Sequence, residues 1–307
     1  MLIQWYPGHM HKASKEIKAI LPQVDLFIEV LDARIPFSSQ NPMLAEIRGN
    51  KPCIKVFNKS DLADTELTQL WQLYLEREQN VKTLALTQDY PDKTRQLPEL
   101  CHRLVPNKQA NNQLLHVLIM GIPNVGKSTL INSLAGRTIA KTGNEPAITK
   151  NQQRIDIGNN VILLDTPGLL WPNVDNKNSG YRLAITGAIK DTAIDHDDIA
   201  FFLADFLLRN YPDLIKKRYQ LTDCPSIDSE LIDIIGKQRG CLRTGGKIDR
   251  DKVAKILLGE LRTGVLGKIT LETPAMMEEE LAELIIIRQE KEAKKKARKQ
   301  KWRQQDN

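Results

Sequence analysis

Gly121-Ile122-Pro123-Asn124-Val125-Gly126-Lys127-Ser128 is the stretch on which the reading of this chain turns. It fits the phosphate-loop pattern G-x-x-x-x-G-K-[ST], and its surroundings fit too. Residues 114–120 (LLHVLIM) read as an apolar strand running into it, and residues 127–134 carry a helical pattern leaving it. Gly121 and Gly126 let the backbone turn tightly enough for several N–H groups to face one phosphate chain. Lys127 would then bridge the β- and γ-phosphates as a catalytic cation, and the Ser128 hydroxyl would bind Mg²⁺. Asn124, Val125, Gly126 and Thr129 complete the nucleotide-binding candidates of this stretch. A nucleoside triphosphate is implied, but no particular base.

Working outward, the first half of the chain alternates strand and helix signals. Residues 24–31 (VDLFIEVL), 53–57 (CIKVF), 81–86 and 161–164 are short apolar runs with β-branched residues. Residues 65–78 read as an amphipathic helix with Leu67, Leu70, Trp71 and Leu75 on one face, and residues 97–104 as another. Buried strands alternating with helices predict a mostly parallel sheet covered on both faces, an α/β fold. Past Trp171 strand signals almost vanish. Residues 171–180 (WPNVDNKNSG) read as a polar linker, followed by helices over 195–208, 229–237, 249–262 and from 278 onward. The expected organisation is an α/β nucleotide-binding domain over 1–175, a small all-α domain over 176–287 and a tail over 288–307. Leu-Arg-Thr-Gly occurs at 242–245 and again at 261–264, which reads as recurring turn chemistry rather than a repeat.

Asn58-Lys59-Ser60-Asp61, directly after the strand over 53–57, supplies the base. The Asp61 carboxylate can accept from both the ring N–H and the exocyclic amine of guanine. Adenine presents the wrong pattern and would leave that carboxylate unpaired. Asn58 can hydrogen-bond nearby, and the Lys59 stem can lie over the ring. Asp165-Thr166-Pro167-Gly168 follows the strand over 161–164: Asp165 would hold Mg²⁺ through water, and the Gly168 N–H could sense the γ-phosphate. Thr149 lies between the phosphate loop and Asp165, where a first switch threonine coordinating Mg²⁺ belongs. GTP or GDP with Mg²⁺ is the expected ligand.

The order of these elements is unusual, because Asn-Lys-x-Asp precedes the phosphate loop. In this the chain resembles the circularly permuted GTPases, which implies a permuted P-loop GTPase domain. Trp5-Tyr6-Pro7-Gly8-His9-Met10, Asp32-Ala33-Arg34-Ile35-Pro36 with Ser38–Pro42, and Thr186-Gly187-Ala188-Ile189-Lys190-Asp191 are similar to the ribosome biogenesis GTPase A family over roughly residues 3–285. The resemblance implies a GTP-hydrolysing switch in late assembly of the large (50S) ribosomal subunit, with a C-terminal helical domain that contacts its ribosomal RNA. The family's guanine-backing loop should fall near Leu86-Thr87-Gln88, a poor match in which Thr87 is the one candidate. An Asn at position 124 resembles GTPases that bind K⁺ beside the phosphates. Many GTPases carry a water-orienting Gln after Asp-x-x-Gly, but Leu169 stands there and cannot position water. Intrinsic hydrolysis should therefore be slow and stimulated on the particle, with His9 the catalytic residue that the family resemblance offers. The competing reading is a nucleotide-gated RNA-binding scaffold with negligible hydrolysis.

Charge sharpens the picture. Of 44 Lys+Arg and 38 Asp+Glu, residues 288–307 hold nine and three, which leaves residues 1–287 balanced at 35 of each. The whole excess of +6 sits in the last twenty residues, so an anionic partner would meet the tail first. Arg239, Arg243, Lys247 and Arg250 are further candidates for an RNA-facing surface. Aromatics at 5% are too thin for binding built on base stacking. Cys53, Cys101, Cys224 and Cys241 form no metal or redox spacing, and His9 and His11 no zinc pattern. With no leader pattern and no long apolar run, the expectation is a monomeric cytoplasmic protein away from membranes.

Overall fold

Among the described residues six strands form one sheet: β1 (Leu26–Asp32), β2 (Cys53–Asn58), β3 (Val81–Ala85), β4 (Leu115–Gly121), β5 (Gln153–Asp156) and β6 (Val161–Asp165). The structure is a computed structural model and describes residues 8–87, 91–140, 153–172 and 174–305. The order is β3-β2-β1-β4-β6-β5, parallel except for β5, which runs antiparallel to β6 at the edge. Every residue of β1 and β2 is buried, as the unbroken apolar runs predict for strands covered on both faces. The edge strand β5 went unseen in the sequence because only Ile155 of its four residues is buried.

Helices α1 (Gly8–Ile20), α2 (Pro42–Arg48), α3 (Thr65–Leu75), α4 (Pro91–Thr94), α5 (Leu97–Leu104), α6 (Pro106–Ala110) and α7 (Lys127–Ala135) accompany the sheet. In α3 the buried line is Thr68, Trp71 and Leu75, whereas Leu70, expected on the apolar face, is exposed. Register sets the site. Asp32 pairs with Asn58 across β1 and β2, while Val30 pairs with Gly121 across β1 and β4. Asp165 pairs with Ile119 across β6 and β4. All the candidate loops therefore leave the same carboxyl edge of the parallel strands. The chain steps outward from β1 to β3 and then returns to β4 on the other side of β1. That reversal opens the crevice in which α/β sheets bind ligands.

After β6 come α8 (Lys177–Ile185), α9 (His196–Asn210), α10 (Pro212–Tyr219), α11 (Asp228–Gln238), α12 (Arg250–Arg262) and α13 (Pro274–Gln305). The stretch read as a linker over 171–180 is only partly one. The Asn176 side chain accepts from the N–H groups of Asn178 and Ser179 and starts α8, whose residues Ser179–Ile185 are all buried. The Asn and Ser that mimic a linker are capping a helix. The helices share a core with the sheet, since one apolar cluster runs from Met10 through Ile119 to Leu203 and Leu271. Residues 269–280 return to the sheet layer: the Ile269 N–H donates to the Leu62 carbonyl (3.0 Å), and the Leu271 N–H to that of Arg34 (2.7 Å). Met277 joins Leu31, Phe57 and Trp71 in a second cluster, and Trp71 Nε1 donates to the Glu272 carbonyl (3.0 Å). α13 continues without a break into the basic tail. Among the described residues no helix is long and apolar enough to cross a membrane.

Candidate guanine-nucleotide site

The phosphate loop is closed by backbone geometry that only certain residues tolerate. A Cβ on Gly121 would lie 2.6 Å from the Val30 carbonyl oxygen, so this glycine is what lets β4 leave the sheet beside β1. Gly126 has φ +89° and precedes α7 with no side chain capping the helix, so the first N–H groups of α7 are left for an anion. Lys127 begins that helix, buried and paired with Asp165 Oδ1. Burial pushes the Lys127 ammonium below its ordinary range, against the opposing pull of Asp165. Asp165 is fully buried, and its other oxygen, Oδ2, has no hydrogen-bond partner among the described residues. Ser128 is half-buried, whereas Thr129 is exposed.

The second motif is stitched to the first. Asn58 Nδ2 donates to the Val125 carbonyl (2.7 Å), and Lys59 Nζ donates to the Asn124 carbonyl (2.6 Å). Lys59 holds a left-handed φ of 58° that turns its side chain back along the loop. Ser60 fixes the turn from the other side: its N–H and hydroxyl both donate to the Leu86 carbonyl, at 3.1 and 2.9 Å. Thr87 follows directly, so the segment after β3 borders the Asn58–Asp61 turn. Asp61 is half-buried, and its Oδ1 is shut from solvent with no hydrogen-bond partner among the described residues. Two orphaned carboxylate oxygens thus lie in the two motifs that flank the phosphate loop. Unpaired buried acceptors are costly, and these are where a guanine edge and a metal-bound phosphate would contribute donors or charge.

The third element turns sharply after β6. The Thr166 hydroxyl donates to the Ile119 carbonyl (3.0 Å), and the Leu169 N–H to the Gly121 carbonyl (3.0 Å). A Cβ on Gly168 would meet Pro123 at 3.1 Å, so the two loops touch through their backbones. Leu169 is buried in the core and its carbonyl accepts from Asn41 Nδ2 (2.8 Å), which leaves it no part in handling water. The adjacent Leu170 N–H meets the buried Met10 sulfur at 3.5 Å, so α1 lies against this segment at the residue after His9. Thr149 lies outside the described residues.

The structure therefore brings Asn58, Lys59, Asn124–Lys127, Asp165 and Gly168 together at the carboxyl edge of the sheet, with Asp61, Thr87, Ser128 and Thr129 on the segments beside them. It adds Asp32, which had no assigned role in the sequence. Asn124 also reaches into the helical layer, its Nδ2 donating to the Gly187 carbonyl at 2.7 Å. The four cations expected to face RNA are all exposed, three of them with intramolecular partners. Arg239 pairs with Glu260 (2.8 Å), Arg243 with Asp249 (2.9 Å), and Arg250 lies over the Phe201 ring, while Lys247 is exposed.

A phosphate loop behind one central strand, with the Asn-Lys-x-Asp turn behind its neighbour and earlier in the chain, defines a circularly permuted P-loop GTPase. Comparison with known proteins agrees. A family model described as a 50S ribosome-binding GTPase matches residues 116–223, beginning at β4 and so excluding the Asn58–Asp61 turn. Ribosome biogenesis GTPase A of Bacillus pumilus is 46% identical over 281 residues, covering 89% of this chain and 99% of its own. The protein of that name from Bacillus cereus is 44% identical over 291 residues, covering 92% and 98%. The crystal structure of GNP-bound YlqF from T. maritima superposes with a TM-score of 0.61 at 26% identity, covering 86% of this chain and 98% of that one. The chain belongs to the ribosome biogenesis GTPase A family, and it is a GTPase.

Proposed function

We propose that the chain is a GTP-hydrolysing switch in late assembly of the large ribosomal subunit, working on the particle and its ribosomal RNA as a cytoplasmic monomer. The observation that carries this reading is the pair of orphaned carboxylate oxygens, Asp61 Oδ1 and Asp165 Oδ2, in the motifs either side of a loop whose helix N-terminus has no cap. In this reading Asp61 accepts from guanine, and Asn58 and Lys59 keep its turn against the phosphate loop. The N–H groups of residues 126–129 hold the phosphates, and Lys127 exchanges Asp165 for the β- and γ-oxygens. The Ser128 hydroxyl and the Asp165 carboxylate would hold Mg²⁺, with Thr149 as the expected third group; the ion supplies positive charge against the phosphates. Asn124 would lie beside the phosphates where K⁺ is expected.

With Leu169 buried, the water-orienting group must come from elsewhere. The contact of Met10 with Leu170 supports His9, since it sets the start of α1 beside the Asp165–Gly168 turn. Slow intrinsic turnover and stimulation by the particle follow if the particle completes that arrangement. Nucleotide state would reach the helices through the chain itself, because the segment after Gly168 leads into α8. The test is GTP turnover titrated with immature and mature large subunits over a range of KCl. Stimulation that saturates with the particle is expected. Particle binding that depends on nucleotide but never raises turnover would favour the scaffold reading, for which the buried Leu169 speaks.

A further inference from the structure

Lys59 is gripped from two sides. Besides the Asn124 carbonyl, its Nζ donates to Asp32 Oδ2 at 3.1 Å. Asp32 ends β1 and is 2% exposed, as is Arg34 two residues on. The Arg34 guanidinium closes on the same carboxylate, Nη2 to Oδ2 at 2.7 Å and Nε to Oδ1 at 2.9 Å, while the Arg34 N–H donates to Oδ1 at 3.1 Å. One buried carboxylate therefore accepts four hydrogen bonds. Burial by itself would lift the Asp32 carboxyl, but Arg34 and Lys59 hold it well below the usual carboxylate range. The ion cluster is charged, fully bonded and geometrically fixed.

The cluster does not stop at the sheet. Arg34 Nη1 reaches the Arg262 carbonyl at 3.4 Å, at the end of α12. The Arg262 side chain in turn caps α8: Nε donates to the Ile185 carbonyl and Nη2 to that of Ala184, both at 2.8 Å. These are among the last carbonyls of α8, and that of Ala184 also accepts from the Gly187 N–H at 3.1 Å. Two residues on, the Gly187 carbonyl accepts from Asn124 Nδ2, which returns to the phosphate loop. Lys59, Asp32, Arg34, Arg262, the end of α8 and Asn124 thus form a closed ring of contacts. Only Lys59 and Asn124 belong to a nucleotide motif.

We infer that Asp32 is a positioning residue for guanine-nucleotide binding, acting through Lys59, and that Arg34 and Arg262 extend its hold to the end of α8. The base-binding turn and the helical layer then tighten or loosen together. A lysine ammonium sits on a flexible four-carbon stem with three freely turning donors, so it does not hold one direction unaided. Asp32 fixes it, and the fixed stem is the one that lies over the base. This rests on the reading that guanine sits against Asp61.

The test is a double-mutant cycle on the full chain, read as GDP affinity, with melting of the nucleotide-free protein recorded beside it. D32N is expected to weaken GDP binding about tenfold, the scale of one charge-assisted contact. In a K59M background the same change should cost less than about twofold, because Asp32 acts through Lys59. A general loosening of the fold would cost the same in both backgrounds. R262M touches no nucleotide motif and spares the buried Asp32–Arg34 pair, so it remains informative if D32N does not fold. It should weaken GDP binding about threefold in the parent chain, the lower end of a single hydrogen bond's contribution. Additive effects of D32N and K59M, or unchanged affinity in R262M, would overturn the inference. D61N separates the two readings, since xanthine carries a carbonyl where guanine carries its amine. Without a swing in preference from GDP to xanthosine diphosphate, the base reading falls and takes this inference with it. With the swing but an additive cycle, the inference falls alone.

Discussion

Gly126 is where the two halves of the nucleotide site press hardest on one another, and Gly126→Ala should expose that. Its φ of +89° lies in the left-handed region, where an L-residue costs about 1–2 kcal/mol. The added Cβ would also lie 2.2 Å from Asn58 Nδ2, so the Asn58 amide must swing off the Val125 carbonyl that it reaches at 2.7 Å. Losing that buried bond adds about 1–3 kcal/mol. Together these predict a loss of about 2–5 kcal/mol in urea melts of the nucleotide-free protein. GDP affinity should fall roughly tenfold or more, since the turn that presents Asp61 is displaced. Gly136→Ala is the matched control: φ is +65° at the end of α7, and nothing lies within 4 Å of the added methyl. It should show only the backbone cost of about 1–2 kcal/mol, with GDP affinity unchanged. If the two variants melt alike and bind GDP alike, the contact between the motifs does not hold the site together and the reasoning fails.

Removing residues 288–307 takes away nine cations, and particle binding should weaken and lose much of its salt dependence while GDP affinity holds; an unchanged salt slope would mean that the tail does not touch RNA. His9→Ala should lower particle-stimulated turnover by roughly a hundredfold at unaltered GDP affinity, whereas lost affinity would mark a structural role. Burial pushes the Cys53 and Cys101 thiols up to about 12, and Cys241 is also buried. Thiol labelling of the native protein at pH 8 should therefore find one fast group, the half-buried Cys224, and all four only after unfolding. Raising the pH to 9 should not recruit Cys53 or Cys101 while the fold holds, because their thiolates stay disfavoured.

How much the sequence revealed depended on whether the signal was local. β1, β2 and β4 are apolar runs buried on both faces, so burial and β-branching speak within seven residues. The cap at Asp195 is short-range too, its side chain accepting from an N–H two residues on, whereas the cap at Asp64 went unread. β5 was silent because an edge strand with three exposed residues carries no apolar pattern. The start of α8 misled because capping and linking use the same small polar residues. Leu70 misled because a helical face drawn from type alone does not say where the neighbouring element lies.

The sequence by itself determined the motifs of the site and their order. A phosphate loop, an Asn-Lys-x-Asp turn and an Asp-x-x-Gly element are each contiguous in the sequence. The inverted order of two of them already named the permutation. Only the tertiary structure decided what holds those motifs at their distances. Asp32 meets Lys59 from 27 positions away, Arg34 meets Arg262 from 228, and Arg182 clasps Glu280 across 98. Ion pairs and buried hydrogen bonds act over about 3 Å in space and are indifferent to separation along the chain, so no local pattern announces them. The same reason explains why residues 269–280, helical-layer sequence by position, belong in packing to the sheet that carries the site.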